Sequence, residues 1–171
     1  MHDAVVATEA GRSTSSFMTV ARSRYTRALA RGRLIGGYLN QPRRILLAED
    51  DADLRSAAAT ALREDGHEVI EVQDGGRLLV RIAGAYSEHT REVAYDVIVS
   101  DIRMPVCSGI QILENVRKAH WTIPVILMTA FGNETTRMHV ESLGAILLDK
   151  PFGLDELRNA VTYLLPGQGY D

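Results

Sequence analysis

The 171-residue chain contains one cysteine, Cys107, which excludes an internal disulfide and any metal site built from clustered cysteines. It has no apolar run of the roughly 18 residues that a membrane-spanning helix needs. Residues 1–20 lack the continuous apolar core of a secretory signal. The five histidines show no metal-ligand spacing, and no internal repeat is visible. These absences fit a reducing, cytoplasmic location with no membrane attachment. Apolar residues make up 46% of the chain and charged residues 24%, the balance of a globular domain able to bury a core.

The net charge of −3 hides a division. Residues 1–44 carry eight arginines against two acids, a net +6. Residues 45–171 carry 11 basic and 20 acidic residues, a net −9. An acidic body is a poor surface for the phosphates of nucleic acid, so direct DNA binding is not expected. The arm, 1–43, is rich in Ser, Thr, Arg and Gly, and Gly32, Gly36, Gly37 and Pro42 interrupt any long helix. It is expected to be mostly disordered.

From Arg44 the chain alternates short apolar runs with amphipathic stretches. Ile45–Ala48, Glu68–Val72, Val97–Val99, Val125–Met128 and Ala145–Leu148 read as strands. Leu54, Ala57, Ala58, Ala61 and Leu62 mark one face of a first helix that Gly66 ends. Leu78, Leu79 and Ile82 mark a second helix, followed by a long polar connection at Gly84–Ala94. Ile110, Leu113 and Val116 mark a third, Asn133 caps a fourth, and Leu154, Leu157, Val161, Leu164 and Leu165 stripe a fifth. Five βα units predict an α/β fold, a five-stranded parallel sheet with helices on both faces.

The chemistry-bearing residues fall where the strands end. Glu49-Asp50-Asp51 follows the first strand, Asp101 the third, Thr129 the fourth and Lys150-Pro151 the fifth. Ligands bind beyond the carboxyl ends of such strands, so these groups should converge on one crevice. Mg2+ takes oxygen ligands and is commonly held by one or two carboxylates plus phosphate. Asp50 and Asp101 are candidate direct ligands, and Glu49 a ligand through a coordinated water. Each residue taken singly has a plainer explanation: acids favour helix N-termini, threonine favours strands and lysine favours surfaces. Together they supply the nucleophile, metal ligands, hydroxyl and fixed cation that a phosphoryl group needs. Asp101 stands alone at its strand end and is the candidate nucleophile.

The segments Ile45-Leu46-Leu47-Ala48-Glu49-Asp50-Asp51, Val97–Pro105, Ile126–Ala130 and Asp149-Lys150-Pro151-Phe152 resemble those of response-regulator receiver domains, over residues 44–165. The resemblance implies a flavodoxin-like strand order 2-1-3-4-5 for a receiver domain at 44–166, leaving a short tail at 167–171. It implies that Asp101 is a phosphoacceptor rather than part of an enzyme's active site. The donor would be a phosphohistidine on a sensor histidine kinase or histidine phosphotransfer protein. Glu49, Asp50, Asp101 and the backbone carbonyl of Arg103 would form the metal site. Thr129, Ala130 and Lys150 would bind the phosphoryl group, flanked by Phe131 and Leu147. The Lys150-Pro151 bond is expected to be cis. No output module follows, so the implied output is contact with a downstream protein through the fourth helix, fifth strand and fifth helix, including Arg137, Met138 and Glu141.

Three departures from the family pattern stand out. Glu49 occupies a position where Asp is commoner. Leu147 stands where Tyr or Phe is frequent, and Gly84–Ala94 is unusually long. Two other functions share the aspartyl chemistry or the fold: a phosphohydrolase of the haloacid dehalogenase type, and an interaction module that is never phosphorylated. The first needs a general acid two residues after the nucleophile, where this chain has Arg103, which stays protonated at neutral pH. The second is disfavoured by the intact acid, hydroxyl and lysine set.

The arm contributes nothing to that set. It could be an over-long start with Met18 as the internal initiator, a targeting peptide, or a basic tail for an anionic partner. A chain beginning at Pro42 is therefore expected to fold and to be phosphorylated at Asp101 with unchanged stoichiometry, as read by circular dichroism and intact mass. Loss of folding would make the arm an integral part of the domain.

Overall fold

In the computed structural model of the protein, residues 42–87 and 95–165 are described. The arm, much of the Gly84–Ala94 connection and the tail lie outside them. The strands are β1 (Arg44–Ala48), β2 (Glu68–Val72), β3 (Val97–Asp101), β4 (Val125–Thr129) and β5 (Ile146–Asp149). The helices are α1 (Ala52–Glu64), α2 (Gly75–Ser87), α3 (Gly109–Lys118), α4 (Glu134–Ser142) and α5 (Leu154–Leu164). The strands form one parallel sheet in the order β2-β1-β3-β4-β5.

Side chains alternate across a strand, so each apolar run feeds both faces of the sheet. Ile45, Leu47, Val97, Val99, Ile126, Met128 and Leu148 pack under α1 and α5 with Ala58, Leu62, Leu157 and Val161. Leu46, Ala48, Ile98, Leu127 and Leu147 face α2, α3 and α4 with Leu78, Ile82, Leu113, Val116 and Val140. Burial on both faces explains why the runs read as continuous rather than alternating.

Local signals set the helix ends. Asp51 caps α1 by accepting from the amides of Asp53 and Leu54. Asn133 caps α4 by accepting from Thr136 N, as expected. Ser108 and Gln111 form a reciprocal capping box on α3, the S-x-x-Q signature of a helix start. Helices α1, α3 and α4 each end in a Schellman pair of hydrogen bonds. Gly66, His120 and Gly144 occupy the left-handed position after them, with φ of 88°, 57° and 71°. His120 does so without the conformational freedom of glycine.

One helix face and one helix boundary differ from expectation. On α1, Ala59 is buried and Ala57 exposed, so the buried stripe is Ala58, Ala59, Ala61 and Leu62. Helix α2 continues through Gly84 to Ser87, so the first part of the supposed polar connection is helical. A glycine in a helix interior costs propensity but does not forbid the helix, and Leu78 and Ile82 anchor the face.

Arg117 is half-buried and donates to the carbonyl oxygens of Leu143 (2.7 Å), Trp121 (2.8 Å) and Ile123 (3.0 Å). It thereby ties α3, the turn into β4 and the end of α4 together. At the strand-entry end, His67 is buried and accepts from the Arg43 amide at Nδ1, 3.3 Å away. Burial holds its pKa below the ordinary 6.5, with Asp65 and Asp96 opposing and Arg43 assisting. A depressed histidine pKa gives stability that is present above the unfolded-state value and lost as pH falls through the folded-state value. Stability is therefore expected to decline as pH drops below about 6.5, and His67→Gln should flatten that decline, as followed by denaturant unfolding at stepped pH.

Candidate functional site

The strand order changes direction between β1 and β3. Chain leaving β1 turns to α1 on one face, and chain leaving β3 turns to α3 on the other. The crevice between them is where such folds bind ligands. Glu49 and Asp50 leave β1 at this point, and Asp101 is the last residue of β3. Thr129 ends β4, and Lys150 follows β5. The ladder continues beyond the strands, with Ile102 N donating to Met128 O and Lys150 N to Thr129 O. These bonds fix the backbone that carries the site.

One carboxylate oxygen from each of Glu49, Asp50 and Asp101 lies within 4.8 Å of the others. Glu49 and Asp101 are buried, and Asp50 is exposed. Lys150 Nζ is 2.7 Å from Glu49 Oε2 and 3.2 Å from Asp101 Oδ1. One ammonium thus bridges two buried carboxylates. Burial pushes the Glu49 carboxyl above its ordinary 4.5; Asp101 adds to the rise and Lys150 opposes it. Burial likewise raises Asp101 above 3.8, against the pull of Lys150 and with the help of Asp50. Burial alone would lower the Lys150 ammonium, but Glu49 and Asp101 outweigh it and hold the pKa above 10.5. The three acids outnumber the one cation, so the cluster suits a further positive charge.

The neighbouring acids divide into two kinds. Asp51, next to Asp50, is held to the α1 amides at 2.9 Å and its pKa is lowered by those bonds, first by Leu54 N. The helix-cap explanation therefore holds for Asp51, while Asp50 joins the cluster. The Glu49 carbonyl is fixed by Arg55 Nη1 at 2.7 Å, a contact the sequence did not suggest.

Other expected residues fall as follows. Thr129 is buried, and its Oγ1 accepts from the Phe131 amide at 3.1 Å. Ala130 is exposed and shares a cleft with Leu54, Lys150, Pro151 and Phe152. Arg103 and Phe131, each two residues beyond a strand-end residue, meet with the guanidinium 4.3 Å from the ring centroid. Leu147 is a core residue on the face covered by α3 and α4. The Lys150-Pro151 bond is cis, as expected. Arg137 turns inward to an ion pair with Asp149, so it is not the free surface side chain that a helix-face reading implied. Met138 is exposed, and Glu141 is partly buried with an interaction of its own.

Two glycines make the close approach possible. A side chain at Gly109 would overlap the backbone oxygen of Asp101, and one at Gly132 would overlap the Asp149 carboxylate. The sequence showed these glycines, but their need arises only from the packed geometry.

Residues 45–162 match the family of the response regulator receiver domain. The chain belongs to that family. It is 35% identical over 115 residues to the transcriptional regulatory protein TcrA of Mycobacterium tuberculosis, covering 67% of this chain and 42% of that protein. It is 30% identical over 121 residues to the transcriptional regulatory protein PdtaR of the same species, covering 70% of this chain and 55% of that protein. The chain thus spans about half the length of these curated relatives. Among solved structures, the receiver domain of a Francisella response regulator superposes with a TM-score of 0.61 at 31% identity, covering 71% of this chain and 96% of that one. The chemotaxis response regulator CheY4 of Vibrio cholerae gives 0.61 at 26%, covering 73% and 100%. The receiver fold, its strand order and the two-component class are thereby those expected from the sequence. No helix among the described residues is long and apolar enough to cross a membrane.

The receiver's adjacent acids should separate by experiment. Asp51→Ala is expected to lower the urea-unfolding midpoint through the lost cap while leaving Mg2+ affinity unchanged. Asp50→Ala should do the reverse. Urea unfolding and calorimetric Mg2+ titration check both. Equal metal losses in the two variants would contradict the division.

Proposed function

We propose that this receiver domain is a phosphoacceptor switch in which Asp101 takes a phosphoryl group from a phosphohistidine. The observation that carries the reading is the ammonium of Lys150 lying between Glu49 and Asp101 in a buried, acid-rich crevice. An Asp101 carboxylate oxygen attacks phosphorus, forming a P–O bond as the P–N bond breaks. The imidazole nitrogen leaves with the bonding pair and takes up a proton. Lys150 moves its contact from the Asp101 carboxylate to the incoming phosphoryl oxygens, where an ammonium offsets developing charge. The Thr129 hydroxyl, now bound by the Phe131 amide, can rotate to donate to the same group.

Asp50, Asp101 and the Arg103 carbonyl would hold Mg2+, with Glu49 contributing through water. The buried acids with raised pKa values fit a hard divalent cation. When bound, the ion supplies positive charge beside the equatorial phosphoryl oxygens. Glu49 reaches Lys150 at 2.7 Å, which supports its more distant role toward the metal. The switch transmits its state to a protein partner, with a sensor histidine kinase or phosphotransfer protein as donor, in the cytoplasm. A phosphohydrolase is disfavoured because Arg103, in the position of its general acid, is permanently charged and stacked on Phe131.

Intact-mass measurement after acetyl phosphate and Mg2+ tests the assignment. Asp101→Asn is expected to gain no phosphoryl mass. Asp50→Ala should lose Mg2+-dependent labelling more severely than Glu49→Ala. Persistent labelling of Asp101→Asn would overturn the choice of acceptor.

A further inference from the structure

Beyond the acid and lysine set, the chain carries a surface whose character opposes that of the domain. Residues 45–171 have a net charge of −9, yet α2 contains no acid and two arginines, Arg77 and Arg81. Both are exposed, and Val80 between them is 72% exposed. Positions three and four apart share a helix face, so Arg77, Val80 and Arg81 adjoin. The loop from β3 to α3 supplies the rest. Val106 is 84% exposed and has φ of 75°, a left-handed conformation that a β-branched residue adopts only when its surroundings impose it. The Cys107 amide donates to Pro105 O at 3.0 Å, closing a tight turn around Val106. The turn is clamped to α2 by Gly75 N donating to Pro105 O. A side chain at Gly75 would overlap the Cys107 carbonyl, and one at Gly76 would press on Val106 Cγ1. Val106 is therefore held out to solvent one helical turn from Val80.

Exposed single valines are ordinary, but a strained one placed beside a second, within a basic margin on an acidic domain, is not. Asp74 is the nearest acid to Arg77, at 3.4 Å, and its other oxygen accepts from the Arg77 amide at 2.7 Å. Arg81 has no ion pair among the described residues. We infer that the face formed by α2 and the Val106 turn docks an acidic protein segment bearing apolar side chains. Its arginines would meet carboxylates, while Val80 and Val106 would pack against the partner's apolar groups. A second copy of this acidic domain, or an anionic surface without apolar groups, would satisfy only part of this set. The inference holds whether or not Asp101 is the phosphoacceptor.

The test is amide-resonance mapping on the full chain, titrated with a Glu-rich peptide bearing leucines at helical spacing. Shifts are expected to concentrate at Gly76–Arg81 and around Val106. The joint substitution Arg77→Glu with Arg81→Glu should weaken binding by more than roughly tenfold, since it places like charges together. Val106→Gly should also weaken binding while keeping the fold, because glycine accepts the left-handed turn. Shifts centred elsewhere would overturn the proposal. So would an equal response to a Lys-rich peptide with the same leucines, or the same shifts appearing with protein concentration alone.

Discussion

The buried contact of Lys150 with Glu49 and Asp101 is the constraint on which the site depends. Two carboxylates withdrawn from water repel each other and lose hydration, both of which disfavour their charged forms unless a compensating charge is present. The ammonium supplies part of that compensation at 2.7 and 3.2 Å. It leaves an excess of negative charge, since Asp50 stands in the same cluster. The cluster is thus incomplete by construction. Its electrostatics favour a further cation, because its one lysine bridges two of the three acids. A purely structural ion pair would balance its charges; this one does not.

The fold makes that imbalance tolerable by distributing its parts over four strand ends. Parallel strands with helices on both faces place all carboxyl ends at one rim. Backbone hydrogen bonds continue past β3 and β5, so Asp101 and Lys150 sit on rigid ladder ends rather than on mobile loops. From this rim the contacts lead to α4. Asp149, beside Lys150, pairs with Arg137, and Gly132 leaves space for its carboxylate. Glu114 meets His139 across α3 and α4 at 2.8 Å, and Arg117 holds the Leu143 carbonyl. Val140 is the buried residue of α4. A helix fixed mostly by polar contacts, with one buried apolar anchor, is more easily repositioned than one fixed by a broad apolar face. The Arg137–Asp149 pair joins this helix to the end of β5, one residue before Lys150.

The sequence revealed the architecture because buried parallel strands and helix faces have distinct periods. Ile45–Ala48 and Val125–Met128 could be placed from apolar character alone, and Gly66 and Asn133 from capping chemistry. The four site signals were legible because each follows an apolar run. Side-chain polar partners were not legible. Nothing in the local pattern says that Arg55 serves the Glu49 carbonyl, that Arg117 gathers the carbonyls of Leu143, Trp121 and Ile123, or that Arg137 pairs with Asp149. Those partners are set by how each helix packs against the strand or turn beside it, which apolar periodicity does not reveal. The end of α2 differs from expectation for a related reason: Gly84 signals a break locally, while core contacts made by Leu78 and Ile82 outweigh it.

Thermal unfolding of the wild type and Lys150→Met, each with and without Mg2+, tests the central role of the bridged carboxylates most directly. The metal-free variant should melt well below the metal-free wild type, because Glu49 and Asp101 then lose their compensating charge. Added Mg2+ should recover a larger part of the stability in the variant than it adds to the wild type. Equal melting of the two metal-free proteins, with the same Mg2+ increment in each, would contradict the account.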